Sequence, residues 1–258
     1  MPQITAAGRS LEYCWTGDAD PARPTLVFLH EGLGSIPQWR DFPAQVARAT
    51  GCRALVYDRY GYGNSDILVE DRVGIDFMHQ EALKFLPEML SKLNIDNPIL
   101  VGHSDGASIA LIHAGAGHPV RGVAVMAPHV FIEKICVDSI VRARRQFETT
   151  DLPQRLGKYH RDSWKTFYLW ADAWLDPAFL DWNIEEYLPG IRCPVLAIQG
   201  EEDEYGTMTQ LDAIRRQVGG ACELLKLAGC GHSPHKDRPE RVLNSISTFI
   251  RKIVGTNP

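Results

Sequence analysis

Pro98-Ile99-Leu100-Val101-Gly102-His103-Ser104-Asp105-Gly106-Ala107-Ser108 decides how this chain is read. Ile99 to Val101 form a short apolar run that reads as a buried strand. It stops in Gly102-x-Ser104-x-Gly106, and an apolar-periodic segment with Ala107, Ile109, Ala110, Leu111 and Ala114 follows. The pattern is strand, sharp turn, helix, with a serine at the apex. A nucleophile lifted out of so tight a turn needs neighbours without Cβ atoms two residues to either side, because strand and helix pack closely there. The residue after the serine then aims its backbone N–H at a developing oxyanion, helped by the helix N-terminus.

The same alternation spreads outward in both directions. Ile4–Ala7 and Leu11–Trp15 read as an N-terminal hairpin turning at Gly8. Thr25–His30, Arg53–Tyr57, Gly122–Ala127, Pro194–Gly200 and Cys222–Leu227 read as further strands. Helical periodicity lies between them, over about 37–50, 75–93, 209–218 and 239–253. Short apolar strands alternating with amphipathic helices predict parallel β-α units in an α/β sheet. The alternation breaks between about 130 and 188, where the periodicity is helical only. Nine aromatics fall there between Tyr159 and Tyr187, among them Trp164, Trp170, Trp174 and Trp182. This segment reads as an insertion, which divides the chain into a core of 1–129 and 189–258 and an insert of 130–188.

Composition narrows the function classes. A chain of 258 residues that is 45% hydrophobic and 23% charged is a globular protein with a sizeable core. Its net charge of −5 shows no nucleic-acid footprint. No apolar run approaches the roughly 20 residues of a spanning helix, and the N-terminus lacks a signal-peptide pattern. The expectation is a cytoplasmic protein that contacts neither nucleic acid nor membrane. The six cysteines lie far apart with no C-x-x-C pair, so free thiols are expected and no metal cluster is.

A serine hydroxyl is a poor nucleophile until a base takes its proton, and that base needs a third group to orient it. His232 lies in Gly229-Cys230-Gly231-His232-Ser233, after the last strand and before the last helix. Asp203 lies in Gly200-Glu201-Glu202-Asp203-Glu204, also directly after a strand; the three neighbouring glutamates leave the acid open on chemistry alone. Open α/β sheets gather their sites at these strand ends.

Taken together, these motifs resemble the α/β-hydrolase family over nearly the whole chain. His30-Glu31-Gly32-Leu33-Gly34 resembles its oxyanion loop, and Asp58 to Ser65 its D-x-R-G-x-G-x-S loop. Gly102 to Gly106 resembles the nucleophile elbow, Gly200 to Asp203 the acid loop, and Gly231-His232 the histidine loop. The resemblance implies an α/β-hydrolase fold: an eight-stranded mostly parallel sheet flanked by helices, with 130–188 as an inserted helical cap. It implies a Ser104–His232–Asp203 triad in the family's order, favouring Asp203 among the acids. It also implies an oxyanion hole from the backbone N–H groups of Gly32 and Asp105, with Leu33 a neighbouring candidate. No cofactor is implied. A serine at the elbow separates this chain from the related dehalogenases and epoxide hydrolases, which use an aspartate.

Two departures stand out. Glu31 replaces the usual glycine after His30, and its carboxylate is expected to turn away from the oxyanion. Arg59 directly follows Asp58, so that loop is one residue short and reads as structural. The expected activity is hydrolysis of a small carboxylic ester or related acyl compound. Carbon–carbon bond hydrolysis of ring-cleavage products, thioesterase or lactonase action are alternatives, as is a low-turnover ligand receptor. Leu33, Trp164, Trp170 and Trp174 are the candidate pocket residues, although the insert's aromatics also suit a small core of its own. The basic run Arg142 to Lys165 reads as a solvated face rather than an anion-steering rim. Monomer and homodimer both stay open.

Overall fold

The computed structural model describes residues 1–255. The hairpin β1 (Gln3–Ala6) and β2 (Arg9–Thr16) forms one edge of the sheet. It is followed by β3 (Leu26–Leu29), β4 (Ala54–Tyr57), β5 (Ile99–His103), β6 (Gly122–Met126), β7 (Val195–Gly200) and β8 (Cys222–Leu227). Their spatial order is β1-β2-β4-β3-β5-β6-β7-β8. The β1–β2 and β2–β4 pairs are antiparallel and the others parallel.

The parallel strands β3 to β7 are buried along their whole length, so both faces of the sheet need cover. The two-residue period of a strand sorts the side chains between two cores. Val27 and Leu29 of β3 face one core and Leu26 and Phe28 the other; Leu100 of β5 opposes Ile99 and Val101 in the same way.

The helices are α1 (Phe42–Thr50), α2 (Phe77–Gln80), α3 (Leu86–Lys92), α4 (Asp105–Gly115), α5 (Lys134–Thr149), α6 (Leu152–Leu156), α7 (Ser163–Trp174), α8 (Thr209–Gln217), α9 (Pro234–Asp237) and α10 (Pro239–Gly255). α1 and α10 cover one face through Val46, Ala47, Val242, Ile246 and Phe249. α4 lies on the other face, buried along ten of its eleven residues. None of the described helices is long and apolar enough to cross a membrane.

Two predicted helices are interrupted. The one expected over 37–50 is a 3₁₀ turn, Ile36–Trp39, then a break where Arg40 takes φ 53°, then α1 with Pro43 in its first turn. The one expected over 75–93 is α2 and α3 joined by a π turn, Glu81–Phe85. Between β6 and β7 the chain leaves the sheet for α5, α6, α7 and two 3₁₀ turns. Its ends are tied together where Ile184 N–H donates to the Val130 carbonyl at 2.8 Å.

Candidate active site

The C-terminal ends of the parallel strands bring the sequence-predicted residues into one place. β3 runs into Glu31–Leu33, β5 into Ser104, β7 into Asp203 and β8 into His232. Ser104 sits at φ 52°, ψ −119°, a conformation that L-residues rarely adopt outside constrained sites. Packing enforces the glycines around it. A Cβ on Gly102 would lie 2.3 Å from the Gly106 carbonyl oxygen, and one on Gly106 would lie 2.1 Å from the Leu29 carbonyl oxygen.

Ser104 Oγ lies 2.9 Å from His232 Nε2, and His232 Nδ1 lies 2.8 Å from Asp203 Oδ1. Asp203 is fixed in turn: its Oδ1 accepts from the N–H groups of Tyr205 and Gly206, and its Oδ2 from the Gln199 amide at 2.9 Å. Burial alone would lift the Asp203 carboxyl, but the imidazole of His232 and the Tyr205 N–H hold it below its ordinary value. Burial likewise opposes the charge on His232, yet the Asp203 carboxylate outweighs it and raises the imidazole's pKa. His103 Nε2 donates to the His232 carbonyl at 2.7 Å and so braces the histidine loop from behind the elbow.

Gly32 and the N-terminus of α4 face the serine. The Gly32 N–H makes no hydrogen bond among the described residues. Leu33 takes φ 61°, and its carbonyl accepts from His160 Nε2 at 3.0 Å. The Glu31 carboxylate is aimed at His103 Nδ1, 3.4 Å away, and at Lys236 Nζ, 3.2 Å away. Burial would raise this acid, but His103 and Lys236 hold it well below the usual carboxylate range. Asp105 pairs with Arg59 Nη2 at 3.3 Å, with both side chains buried. Burial pushes the Asp105 carboxyl up and the guanidinium only partly offsets this.

A cavity of about 290 Å³ opens over Ser104. Gly32, Leu33, Ser104, Asp105 and His232 line its floor, and Ile140, Phe167, Trp170 and Trp174 of α5 and α7 line its far wall. Trp164 is not among the lining residues. It is 56% exposed and packs on Phe147 and Tyr168. At 3.6 residues per turn it lies about 90° around α7 from the arc that Phe167, Trp170 and Trp174 share. Trp182 is buried against Phe179, also away from the cavity.

The loop read as structural does more than turn the chain. Asp58 Oδ1 accepts from Ile36 N–H at 2.7 Å and Oδ2 from Asn64 N–H at 2.9 Å. Arg59 Nη2 donates to the Glu31 carbonyl at 2.9 Å as well as pairing with Asp105. His129, Tyr205 and Cys136, which line the cavity, were not singled out from sequence. An arginine set among tyrosines and glycines was the one available signal for Arg59. Nothing in the spacing marks the other three.

A profile described as the alpha/beta hydrolase family matches residues 26–245. The chain belongs to that family. Among its curated relatives is the 2-succinyl-6-hydroxy-2,4-cyclohexadiene-1-carboxylate synthase of Salmonella typhimurium, 23% identical over 262 residues, with 90% of this chain and 95% of the relative aligned. Solved structures of similar shape include a carboxylesterase of Nitrososphaera gargenis, with TM-score 0.79, 18% identity and coverage of 99% of this chain and 100% of that one. The enol-lactonase of Burkholderia xenovorans follows, with TM-score 0.74, 20% identity and coverage of 96% and 99%. At such identities these structures share the fold of this alpha/beta hydrolase, and their substrates remain their own.

Proposed function

We propose that this alpha/beta hydrolase is a cytoplasmic serine hydrolase of small carboxylic esters or related acyl compounds, working without a cofactor through an acyl-enzyme. The carrying observation is the unbroken hydrogen-bond chain from Ser104 Oγ through His232 to Asp203, with the serine held at positive φ. Ser104 Oγ attacks the acyl carbon as His232 Nε2 takes its proton, and the same proton then passes to the leaving oxygen. Asp203 fixes the imidazole tautomer and balances the imidazolium charge. The N–H groups of Gly32 and Asp105 receive the oxyanion, the latter at a helix N-terminus. Water, deprotonated by His232, releases the acid and restores the serine. The insert 130–188 serves as a cap whose α5 and α7 shape the substrate pocket. Six free cysteines suit a reducing compartment.

A fluorophosphonate probe tests the nucleophile. It should label the wild type stoichiometrically at the Ser104 peptide and leave Ser104→Ala unlabelled, with ester turnover falling by several orders of magnitude. Labelling that persists in the variant, or that maps to Ser108, refutes the assignment.

A further inference from the structure

A second cavity, about 280 Å³, lies beside the catalytic one and is of nearly equal volume. It is bounded by the loop that carries Tyr60, Tyr62 and Val73, by the helix from Phe77 to Lys92, and by Trp170 and Ala173 of α7. Trp170 lines both cavities. Arg59 lines the second cavity and Asp105 the first, and these two are joined by their ion pair.

Three features distinguish this cavity from a surface dimple. Its lining holds an aromatic group, with Tyr60 stacked on Phe85 at 5.7 Å between ring centres and Phe77 and Tyr62 beside them, alongside charged side chains that include Arg9, Arg72, Asp76 and Lys84. On its inner side lies Arg59, 2% exposed, whose Nε has no hydrogen-bond partner. That is an unsatisfied buried donor, a costly state, and the atom is closed off from the cavity as well as from solvent. The third feature is the π turn Glu81–Phe85, which falls where the helix borders the cavity. Bonding from i to i+5 widens that turn and brings residues five apart onto one face. Gln80 and Phe85 both reach the cavity, while Glu81 at its edge is anchored by the Tyr57 hydroxyl at 2.7 Å. Turns of this kind interrupt helices frequently at functional sites.

The chemistry of the triad says which half of a substrate belongs here. The leaving oxygen must lie next to His232 Nε2 to receive its proton. Tyr205 and His129, the rings nearest His232 in the first cavity, are absent from the second. The second cavity is lined instead by Arg59, which is joined by its ion pair to Asp105, the residue after Ser104. An acyl group attached to a carbon held by Gly32 and Asp105 extends away from the leaving oxygen, toward Trp170.

We propose that the second cavity seats the distal arm of the acyl group, an apolar and preferably aromatic tail, and that the Trp170 side chain is the partition it must pass. The preferred substrates are therefore esters of arylalkanoic acids rather than of acetic acid. This rests on the serine-hydrolase reading above. The aromatic terminus packs among Tyr60, Phe77 and Phe85.

The test compares p-nitrophenyl acetate with p-nitrophenyl 5-phenylpentanoate, which share a leaving group. Val73→Trp and Gln80→Trp fill the cavity from its loop and from its helix, and neither residue touches the triad. Competent enzyme is counted in each preparation by labelling Ser104 with a small methyl fluorophosphonate. The wild type should prefer the phenylpentanoate, and either filling variant should lower the ratio of kcat/KM between the two esters by at least tenfold. An unchanged ratio in both variants, with Ser104 still labelled, overturns the proposal. If the wild type is neither labelled nor active, the hydrolase reading fails by itself, and calorimetry with 4-phenylbutanol then judges the cavity. Binding that the filling variants abolish supports the cavity as a seat for such tails; no binding to the wild type overturns it.

Discussion

At the scale of single residues, the acid loop makes a prediction about pH. The base in the proposed cycle is neutral His232, so activity falls as pH drops through the imidazole pKa. The Asp203 carboxylate raises that pKa above the ordinary histidine value against the opposing effect of burial. The acid limb of kcat/KM, which reports the free enzyme, therefore lies above about pH 6.5. Asp203→Asn removes the raising charge and leaves the burial. The residual acid limb should move to lower pH while turnover drops roughly 10²–10⁴-fold from loss of the fixed tautomer. Profiles of both enzymes on one ester decide the matter. A limb that stays in place assigns the orienting charge to another group, with Glu204, the next contributor to the His232 shift, the first to replace by glutamine.

Among the elements, α7 separates roles that composition could not. Trp170 and Trp174 face the catalytic cavity, Trp164 faces solvent, and Trp182 beyond the helix is buried on Phe179. Alanine at Trp182 should destabilise by about 3–5 kcal/mol, the usual cost of emptying a buried aromatic site, with substrate preference kept. Alanine at Trp164 should change neither property appreciably. Alanine at Trp174 should shift the kcat/KM ratio between short and bulky esters by about tenfold, or about 1.4 kcal/mol. Melting curves and an ester series on the three variants measure both effects. A Trp174 variant with unchanged preference removes that side chain from substrate recognition. The contrast also shows why the strands and their loops were legible in the sequence while the pocket was not. Ser104, Asp203 and His232 each follow a short apolar strand, and a strand end fixes where its next few residues go. Trp164 and Trp170 share one helix and one residue type, and only the phase of α7 against the sheet tells them apart. Arg59 was hidden for a related reason, since its partner Asp105 lies 46 residues on and meets it only after β4 and β5 have taken their places.

Across the whole molecule, the segment between β6 and β7 is fastened to the sheet's loops, and one fastening bears on the chemistry. His160, 5% exposed, bridges two of those loops: its Nδ1 accepts from Gly63 N–H at 2.9 Å and its Nε2 donates to the Leu33 carbonyl at 3.0 Å. Beside it, Arg161 N–H donates to the Gly63 carbonyl at 3.0 Å and Thr166 Oγ1 to the Gly61 carbonyl at 2.7 Å. Both ring nitrogens are thus committed in the neutral form, and burial, the main influence, lowers the imidazole's pKa to match. Leu33 adjoins Gly32 and holds a positive φ, a conformation that persists only where its surroundings over-determine it. Removing the ring in His160→Ala strands a buried N–H and frees that carbonyl. The expected loss of stability is about 1–3 kcal/mol, read from the denaturant midpoint. The functional loss should fall on kcat, because a relaxed Leu33 would draw the Gly32 N–H away from its proposed place at the oxyanion, a contact that strengthens only in the transition state. A roughly tenfold drop in kcat, with KM little changed and Ser104 still labelled, is the expected pattern. A rise in KM with kcat intact would instead mean that His160 holds only the wall of the pocket, and that the oxyanion loop keeps its shape without it.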